Sequence, residues 1–198
     1  MSPRPAPPAP EEIWREFHWA FFINVQGLII GLKRFTRLLE EDRLAEAARE
    51  LDCAAELLIA SAAAMELAGS FPREAYQERI RVSMTPPAVR SDAFSGLMSW
   101  EHGVLVEQFR RLRPAFAELP EALVPAHGRF VEAYRRLATG HSHVCTRFVG
   151  GGAGSLRSER REAAETLRRF AESRLALIDP APRAAEPPAR PERSPDHD

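Results

Sequence analysis

The chain has 198 residues, 44% of them hydrophobic, and its 27 Lys and Arg residues nearly balance its 28 Asp and Glu residues. This length allows one domain with a sizeable core, and the near-neutral charge argues against nucleic acid or an anionic membrane surface as a partner. A small or uncharged ligand is easier to accommodate.

The cysteines and the apolar stretches bear on the cellular compartment. Cys53 and Cys145 both fall in predicted helices and lie far apart in sequence, so we expect no disulfide framework and a reducing environment. The first ten residues lack the apolar core of a signal peptide. The longest apolar stretch, 19–32, contains Asn24 and Gln26 and is too short to span a bilayer. We therefore expect a cytoplasmic protein that does not insert into a membrane.

Both ends of the chain are rich in proline and poor in large apolar residues. Segments 1–10 and 180–198 offer too little apolar surface to offset the entropy lost on ordering. The sequence therefore predicts two disordered tails around a single folded, helical domain at 11–179.

Five segments between these tails have the spacing of apolar residues that is typical of α-helices. In chain order they cover 11–39, 43–67, 93–112, 121–149 and 155–178. The loop 69–92 contains Pro86 and Pro87, which exclude a helix interior, and Asp92 and Ser155 are the predicted N-caps of the third and fifth helices. No segment alternates as a strand would, so the sequence predicts an all-α helical bundle.

Three residues capable of chemistry interrupt the apolar faces of these helices. His141 and Cys145 are four residues apart on the fourth helix, which places their Cβ atoms about 5–6 Å apart on one face. A neutral imidazole there is able to bind iron, and a thiol beside it to bond a porphyrin vinyl group. On the third helix, His102 is a candidate second axial ligand or a distal acid or base. From pattern alone, core histidines and a small apolar cysteine are the ordinary alternative. A structural zinc site is less favoured, because it needs four ligands.

Glycines indicate two further parts of the sequence where a ligand or a neighbouring helix could come close. Gly27 and Gly31 cost about 1 kcal/mol each relative to alanine within the first helix, which indicates close approach of another helix or of a flat ligand. The run 150–154 is not a dinucleotide fingerprint, because a helix and not a strand precedes it. It is either a loop able to close over a ligand or a plain connector.

Four stretches of the sequence carry a family resemblance. They are 21–33 in the first helix, 84–96 around Arg90, 141–150 at the end of the fourth helix, and the glycine-rich 151–157. In this order and spacing they resemble the tryptophan 2,3-dioxygenase superfamily, namely its first core helix, its loop with a carboxylate-binding arginine, its proximal helix and its glycine-rich loop.

At two positions the chain departs from the dioxygenases. Val25 stands where they carry a distal histidine, and Ala153 stands near the threonine of their glycine loop, so ordinary tryptophan dioxygenation is not the expected reaction. His141-x-x-x-Cys145 with His102 upstream is instead similar to the histidine-ligated, heme-dependent aromatic oxygenase branch of the 3-methyl-tyrosine hydroxylase type.

The resemblance implies a heme cofactor and roles for four residues. His141 would be the proximal metal ligand, and Cys145 would attach the heme covalently through a thioether. His102 would be the second metal ligand and the catalytic acid or base on the opposite side of the iron. Val25 would lie at the distal face of the heme.

A substrate site is implied as well. Arg90 would bind a substrate carboxylate through two parallel hydrogen bonds. The further substrate-binding candidates are Phe21, Phe22, Trp100, Gly151, Gly152 and Ser155. The expected reaction inserts oxygen from peroxide or dioxygen into a small aromatic substrate, an aromatic amino acid or a derivative, with hydroxylation favoured over ring cleavage.

Two other functions stay open from the sequence. One is a non-catalytic bis-histidine heme sensor or carrier, because two histidine ligands leave the iron no open site. The other is a helical interaction module without a cofactor. We also expect a homo-oligomer, a dimer or tetramer, because the first helix is apolar on more than one side and the relatives complete their pockets across subunits.

Overall fold

Two long helices joined by a tight turn begin the fold. The structure, a computed structural model, describes residues 7–90, 99–149, 154–155 and 158–180. Helix α1 is Pro10–Glu40, and its first turn has a proline where the missing N–H is no loss. After a turn with Asp42 in the left-handed region (φ 54°), α2 follows as Leu44–Ala68. Both predicted helices are confirmed within a few residues.

Small residues allow α1 and α2 to pack closely. A Cβ atom added at Gly27 would lie 3.3 Å from the Leu57 side chain of α2, and one added at Gly31 would lie 3.8 Å from Glu50 of the same helix. In α2, six alanines are at most 5% exposed: Ala47, Ala54, Ala55, Ala62, Ala64 and Ala68. Close packing against Leu57 therefore accounts for Gly27, whereas a Cβ at Gly31 would make only an ordinary contact.

A short helical segment replaces much of the loop that the sequence predicts over 69–92. It consists of α3 (Arg73–Ala75), a π-helical turn (Tyr76–Ile80) and α4 (Arg81–Ser83). The prediction was wrong here because the segment is short, and its only buried anchors are Tyr76 and Ile80, four residues apart. Pro86 and Pro87 lie outside any helix, as expected.

The third predicted helix starts later than expected. Helix α5 is Trp100–Ala117, and the hydroxyl of Ser99 caps it by accepting a hydrogen bond from the backbone N–H of His102 at 3.2 Å. Helix α5 begins seven residues after the predicted start at residue 93, and that start and the predicted cap Asp92 both lie outside the described residues. The helix also continues through Pro114, past the predicted end.

The fourth predicted helix is confirmed, and the start of the fifth was wrong. A 3-10 turn (Glu121–Leu123) leads into α6 (Val124–Val149). Ser155 does not cap a helix, because it belongs to β1 (Gly154–Ser155), which pairs antiparallel with β2 (Ser158–Glu162). Helix α7 then runs over Ala163–Ile178.

Side chains from α1, α2, α5 and α6 share one core, and the predicted all-α bundle is confirmed. The largest core side chains that are below 2% exposed are Phe35, Phe109, Phe130, Leu28, Leu32, Leu51, Leu58 and Leu112. A second, smaller cluster groups Phe71, Tyr76, Ile80 and Phe148. Within the described ranges, no helix is long and apolar enough to cross a bilayer. Most of both predicted tails lies outside those ranges, so their disorder stays a prediction.

Candidate active site

A cavity of about 740 Å³ opens beside the core, between α1, α2, α5, α6 and α7, and its walls are mostly apolar. This volume is in the range of about 300–1,000 Å³ that is usual for small-molecule and cofactor pockets. From α1, the side chains of Phe21, Phe22 and Val25 line the cavity, as the sequence predicts for the ligand face of this helix. Phe21 and Phe22 meet edge to face, with ring centroids 5.8 Å apart at 78°.

Helix α6 presents His141 and Cys145 to this cavity, one helical turn apart. Burial, with a smaller contribution from the charge of His18, lowers the pKa of His141 to about 4. Burial also raises the pKa of the Cys145 thiol, which forms no disulfide. At neutral pH the cavity therefore contains a neutral imidazole, the form that binds metals, and a protonated thiol one turn away.

His102 reaches the same cavity from α5, and His18 lines it from α1, so three histidines on different helices line one space. Burial lowers its pKa to about 4, with further contributions from the charges of Arg174 and His141. The Nη2 atom of Arg174 lies 2.6 Å from Nε2 of His102. Because a guanidinium only donates, Nε2 accepts this hydrogen bond, and the ring proton is on Nδ1.

Arg174 is a cavity residue that the sequence analysis missed. Its Nη1 donates to the carbonyl oxygen of Phe170 at 2.8 Å, and its Cζ lies 4.8 Å from the centroid of the Phe170 ring. A signal for it exists in the sequence. Leu167, Phe170, Arg174 and Ile178 share one helix face, so the arginine interrupts an apolar stripe in the same way as the two histidines do.

An aromatic cluster anchors the end of α6 below the cavity. The Phe148 ring stacks on Tyr76, with centroids 4.4 Å apart and planes at 3°, and its centroid lies 6.4 Å from that of Trp14. The side-chain amide of Gln77 donates to the carbonyl oxygen of Phe148 at 2.6 Å. These contacts fix the last turns of the helix that carries His141.

The structure does not bring every predicted site residue to the cavity. Arg90 is exposed and is not among the lining residues. Trp100 is 75% exposed at the start of α5 and lines a separate surface pocket beside Lys33. Their substrate-binding roles therefore stay predictions without a position in the site.

The glycine-rich loop that the sequence predicts to close over a ligand lies mostly outside the described residues. Gly151 and Gly152 lie outside the described residues. Ser155 belongs to β1. The part of the chain that is described contains no group of three or more His, Cys, Asp or Glu residues able to hold a metal ion by themselves.

Comparison with known proteins places the chain in a family. Residues 1–126 match the family described as SfmD 3-methyl-L-tyrosine peroxygenase, which is more than half of the chain. The chain belongs to this family. His102 lies within the matched region, whereas His141, Cys145 and Arg174 lie beyond it. Membership does not by itself assign a role to any of these residues.

One curated relative extends the likeness along the chain. The 3-methyl-L-tyrosine peroxygenase of Streptomyces lavendulae is 27% identical over 203 residues, which cover 94% of this chain and 55% of the relative. The chain therefore spans about half the length of this relative. No solved structure matches the chain.

Proposed function

We propose that this protein is a heme-dependent oxygenase or peroxygenase that inserts oxygen into an aromatic amino acid or a derivative of one. The observation that carries the proposal is the pair of neutral rings, His102 and His141, facing one apolar cavity in a member of a peroxygenase family. The relative's name identifies 3-methyl-L-tyrosine as its substrate, and a substrate of this class is the one we propose here.

The residues of the cavity suit a heme. A porphyrin supplies four nitrogen ligands to its iron, so one or two protein histidines complete the coordination and no cluster of three protein ligands is needed. His141 would bind as the proximal ligand, and His102 would face the other side. Cys145, a free thiol that lines the cavity one helical turn from His141, would form a thioether to a vinyl group of the porphyrin. When bound, heme supplies the iron chemistry that activates peroxide or dioxygen.

The remaining cavity side chains orient the substrate and exclude water. The edge-to-face pair of Phe21 and Phe22 offers an aromatic substrate ring both a face and an edge to pack against. His102, neutral at physiological pH, is able to accept a proton at Nε2 once Arg174 no longer occupies that atom. The predominantly apolar lining leaves few polar groups to hold water beside the reacting atoms.

The wider relationship to the tryptophan 2,3-dioxygenase superfamily is part of this proposal. It is supported by the placement of Val25, 6% exposed, in the cavity wall, where the superfamily has its distal heme face. A valine cannot accept a proton from an indole N–H, which favours hydroxylation over tryptophan ring cleavage.

A non-catalytic bis-histidine heme sensor or carrier is the second candidate. The same pair of histidines favours it, since two imidazoles on one iron leave no coordination site for an oxidant. The two candidates differ in turnover. Only the enzyme consumes peroxide in proportion to the amount of aromatic substrate that is added.

The test is conversion by purified, heme-loaded protein of 3-methyl-L-tyrosine and L-tyrosine, supplied with hydrogen peroxide or with dioxygen and a reductant. We expect a product one oxygen atom heavier than the substrate, with one water formed per peroxide consumed. Exchanging His102 for alanine should reduce the rate at least tenfold. Exchanging the exposed His143 of α6 should not. A heme-loaded protein that turns over none of these substrates would favour the sensor or carrier.

A homo-oligomer is the quaternary structure that we propose. On α1, the exposed fractions of Trp19, Ile23 and Ile30 are 62%, 64% and 58%, and their spacing places all three on one face of the helix. An exposed apolar face of this kind is typical of a subunit contact.

A further inference from the structure

The cavity contains a cation with no carboxylate partner. Elsewhere on α7, the exposed Arg168 and Arg169 both form ion pairs with Glu165. Arg174 lines the cavity, and no carboxylate of the described residues lies within ion-pair distance of it. Its acceptors are a neutral imidazole nitrogen, a backbone carbonyl and the face of a phenylalanine ring.

Two buried polar atoms on the same helix face also lack partners. The Nε atom of Arg174 and the hydroxyl of Thr166, eight residues earlier, are buried and have no hydrogen-bond partner among the described residues. Both residues line the cavity. A buried donor without an acceptor costs about 1–3 kcal/mol, and more when it is charged. A ligand that supplies the missing acceptor removes this cost when it binds.

We propose that Arg174 is the anion-binding residue of this cavity and that its ligand is a carboxylate, with the Thr166 hydroxyl as a second contact. Burial of the guanidinium strengthens its attraction for a negative charge that enters the same apolar space. The identity of the ligand rests on the proposed function. The carboxylate belongs either to the amino acid substrate or to a propionate of the porphyrin.

The free edge of the Arg174 guanidinium determines where a carboxylate would bind relative to His102. Nε and Nη2 lie on the same edge of the planar group, and a carboxylate that forms two parallel hydrogen bonds takes both atoms. Nε is unpartnered, whereas Nη2 donates to His102. Because Nη2 carries a second N–H, a carboxylate at this edge can share Nη2 with Nε2 of His102, so the bound acid lies beside the second histidine.

The experiment measures binding and does not depend on turnover. Calorimetry compares 3-methyl-L-tyrosine with 3-methyltyramine, which lacks the carboxylate, on heme-loaded and heme-free protein. A second arm compares heme with its dimethyl ester, which lacks the propionate charges. The variants are Arg174→Gln and Arg174→Lys. Arg169→Gln is the matched control, because it removes the same charge from the exposed face of the same helix.

We expect Arg174→Gln to weaken carboxylate binding roughly ten- to a hundredfold, the range for loss of a hydrogen bond to a charged group. The amine or the ester should lose little affinity, and Arg169→Gln should match the wild type. Arg174→Lys should recover part of the loss, since a lysine offers a point charge without the planar fork. Far-ultraviolet circular dichroism confirms folding, and the lysine variant decides the question if the glutamine variant does not fold.

The two arms distinguish the amino acid substrate from a porphyrin propionate as the source of the carboxylate. They also test the role of Arg174 independently of the proposed function. A loss confined to the amino acid arm assigns Arg174 to the substrate, and one confined to the heme arm assigns it to a propionate. If no preference for the charged ligand exists, or if it survives Arg174→Gln in both arms, the inference is overturned, whatever the protein catalyses. If the wild type binds no heme, the proposed function fails, and the amino acid arm still decides the role of Arg174.

Discussion

Truncation of Phe148 to alanine should destabilise the protein through the helix that carries the proposed heme ligand. The side chain is 2% exposed, and its ring centroid lies 4.4 Å from that of Tyr76, 5.1 Å from that of Phe71 and 6.4 Å from that of Trp14. Removal of a fully buried phenylalanine costs about 3–5 kcal/mol. Three ring contacts place Phe148 toward the upper part of this range.

The assay is unfolding of heme-free protein by urea, with thermal unfolding as a second measurement. For a domain of this size, about 3–5 kcal/mol corresponds to a fall in Tm of roughly 6–20 °C. Phe22→Ala is the matched control. Phe22 is half-buried, has one aromatic neighbour, Phe21, and faces the cavity, so its loss should cost about 1 kcal/mol.

The two variants should also differ in how they respond to heme. Phe148→Ala should accelerate heme loss, because the turns that follow His141 and Cys145 lose their anchor. If Phe148→Ala costs no more stability than Phe22→Ala, the aromatic cluster does not hold the end of α6, and this reasoning is refuted.

Three further predictions follow from the same structure. Cys145→Ser should leave heme extractable into acidified organic solvent, whereas wild-type heme should stay with the protein; free extraction from the wild type would contradict the thioether. Burial raises the pKa of Tyr134 to about 12, so the folded protein holds this proton while the unfolded phenol, near 10, loses it. Stability should fall as pH rises from 10 to 12, by about 1.4 kcal/mol at pH 11, and in Tyr134→Phe this part of the loss should be absent from urea unfolding curves. Ile23→Lys should shift sedimentation toward the monomer, and a wild type that already sediments as a monomer would rule out the oligomer.

The site residues that the sequence revealed share a physical signature. His102, His141 and Cys145 occupy positions that helical spacing assigns to the apolar face, where packing alone favours leucine. Helical spacing therefore singled them out as candidates, and the resemblance supplied their expected roles. Arg174 shows the same signature but was not predicted, because an arginine between apolar positions of a helix is usually exposed to solvent.

Other features depend on tertiary geometry that no local pattern contains. The start of α5 is set by the hydroxyl of Ser99, whereas the apolar spacing upstream suggested an earlier start. Trp100 looked like a pocket residue because it lies close to His102 in sequence. On the helix it is rotated away from the buried face that contains Leu105 and Phe109, and it is 75% exposed. Arg90 follows a loop whose path across the surface the sequence does not determine.

The absorbance spectrum of protein produced with a heme precursor shows whether His141 binds heme, when it is measured in the wild type, in His141→Ala and in the control His143→Ala. His143 is exposed on the same helix, so its loss leaves the cavity intact. We expect a Soret band in the wild type and in His143→Ala, and we expect His141→Ala to lose it. A colourless wild-type protein, or an unshifted band in His141→Ala, would contradict it.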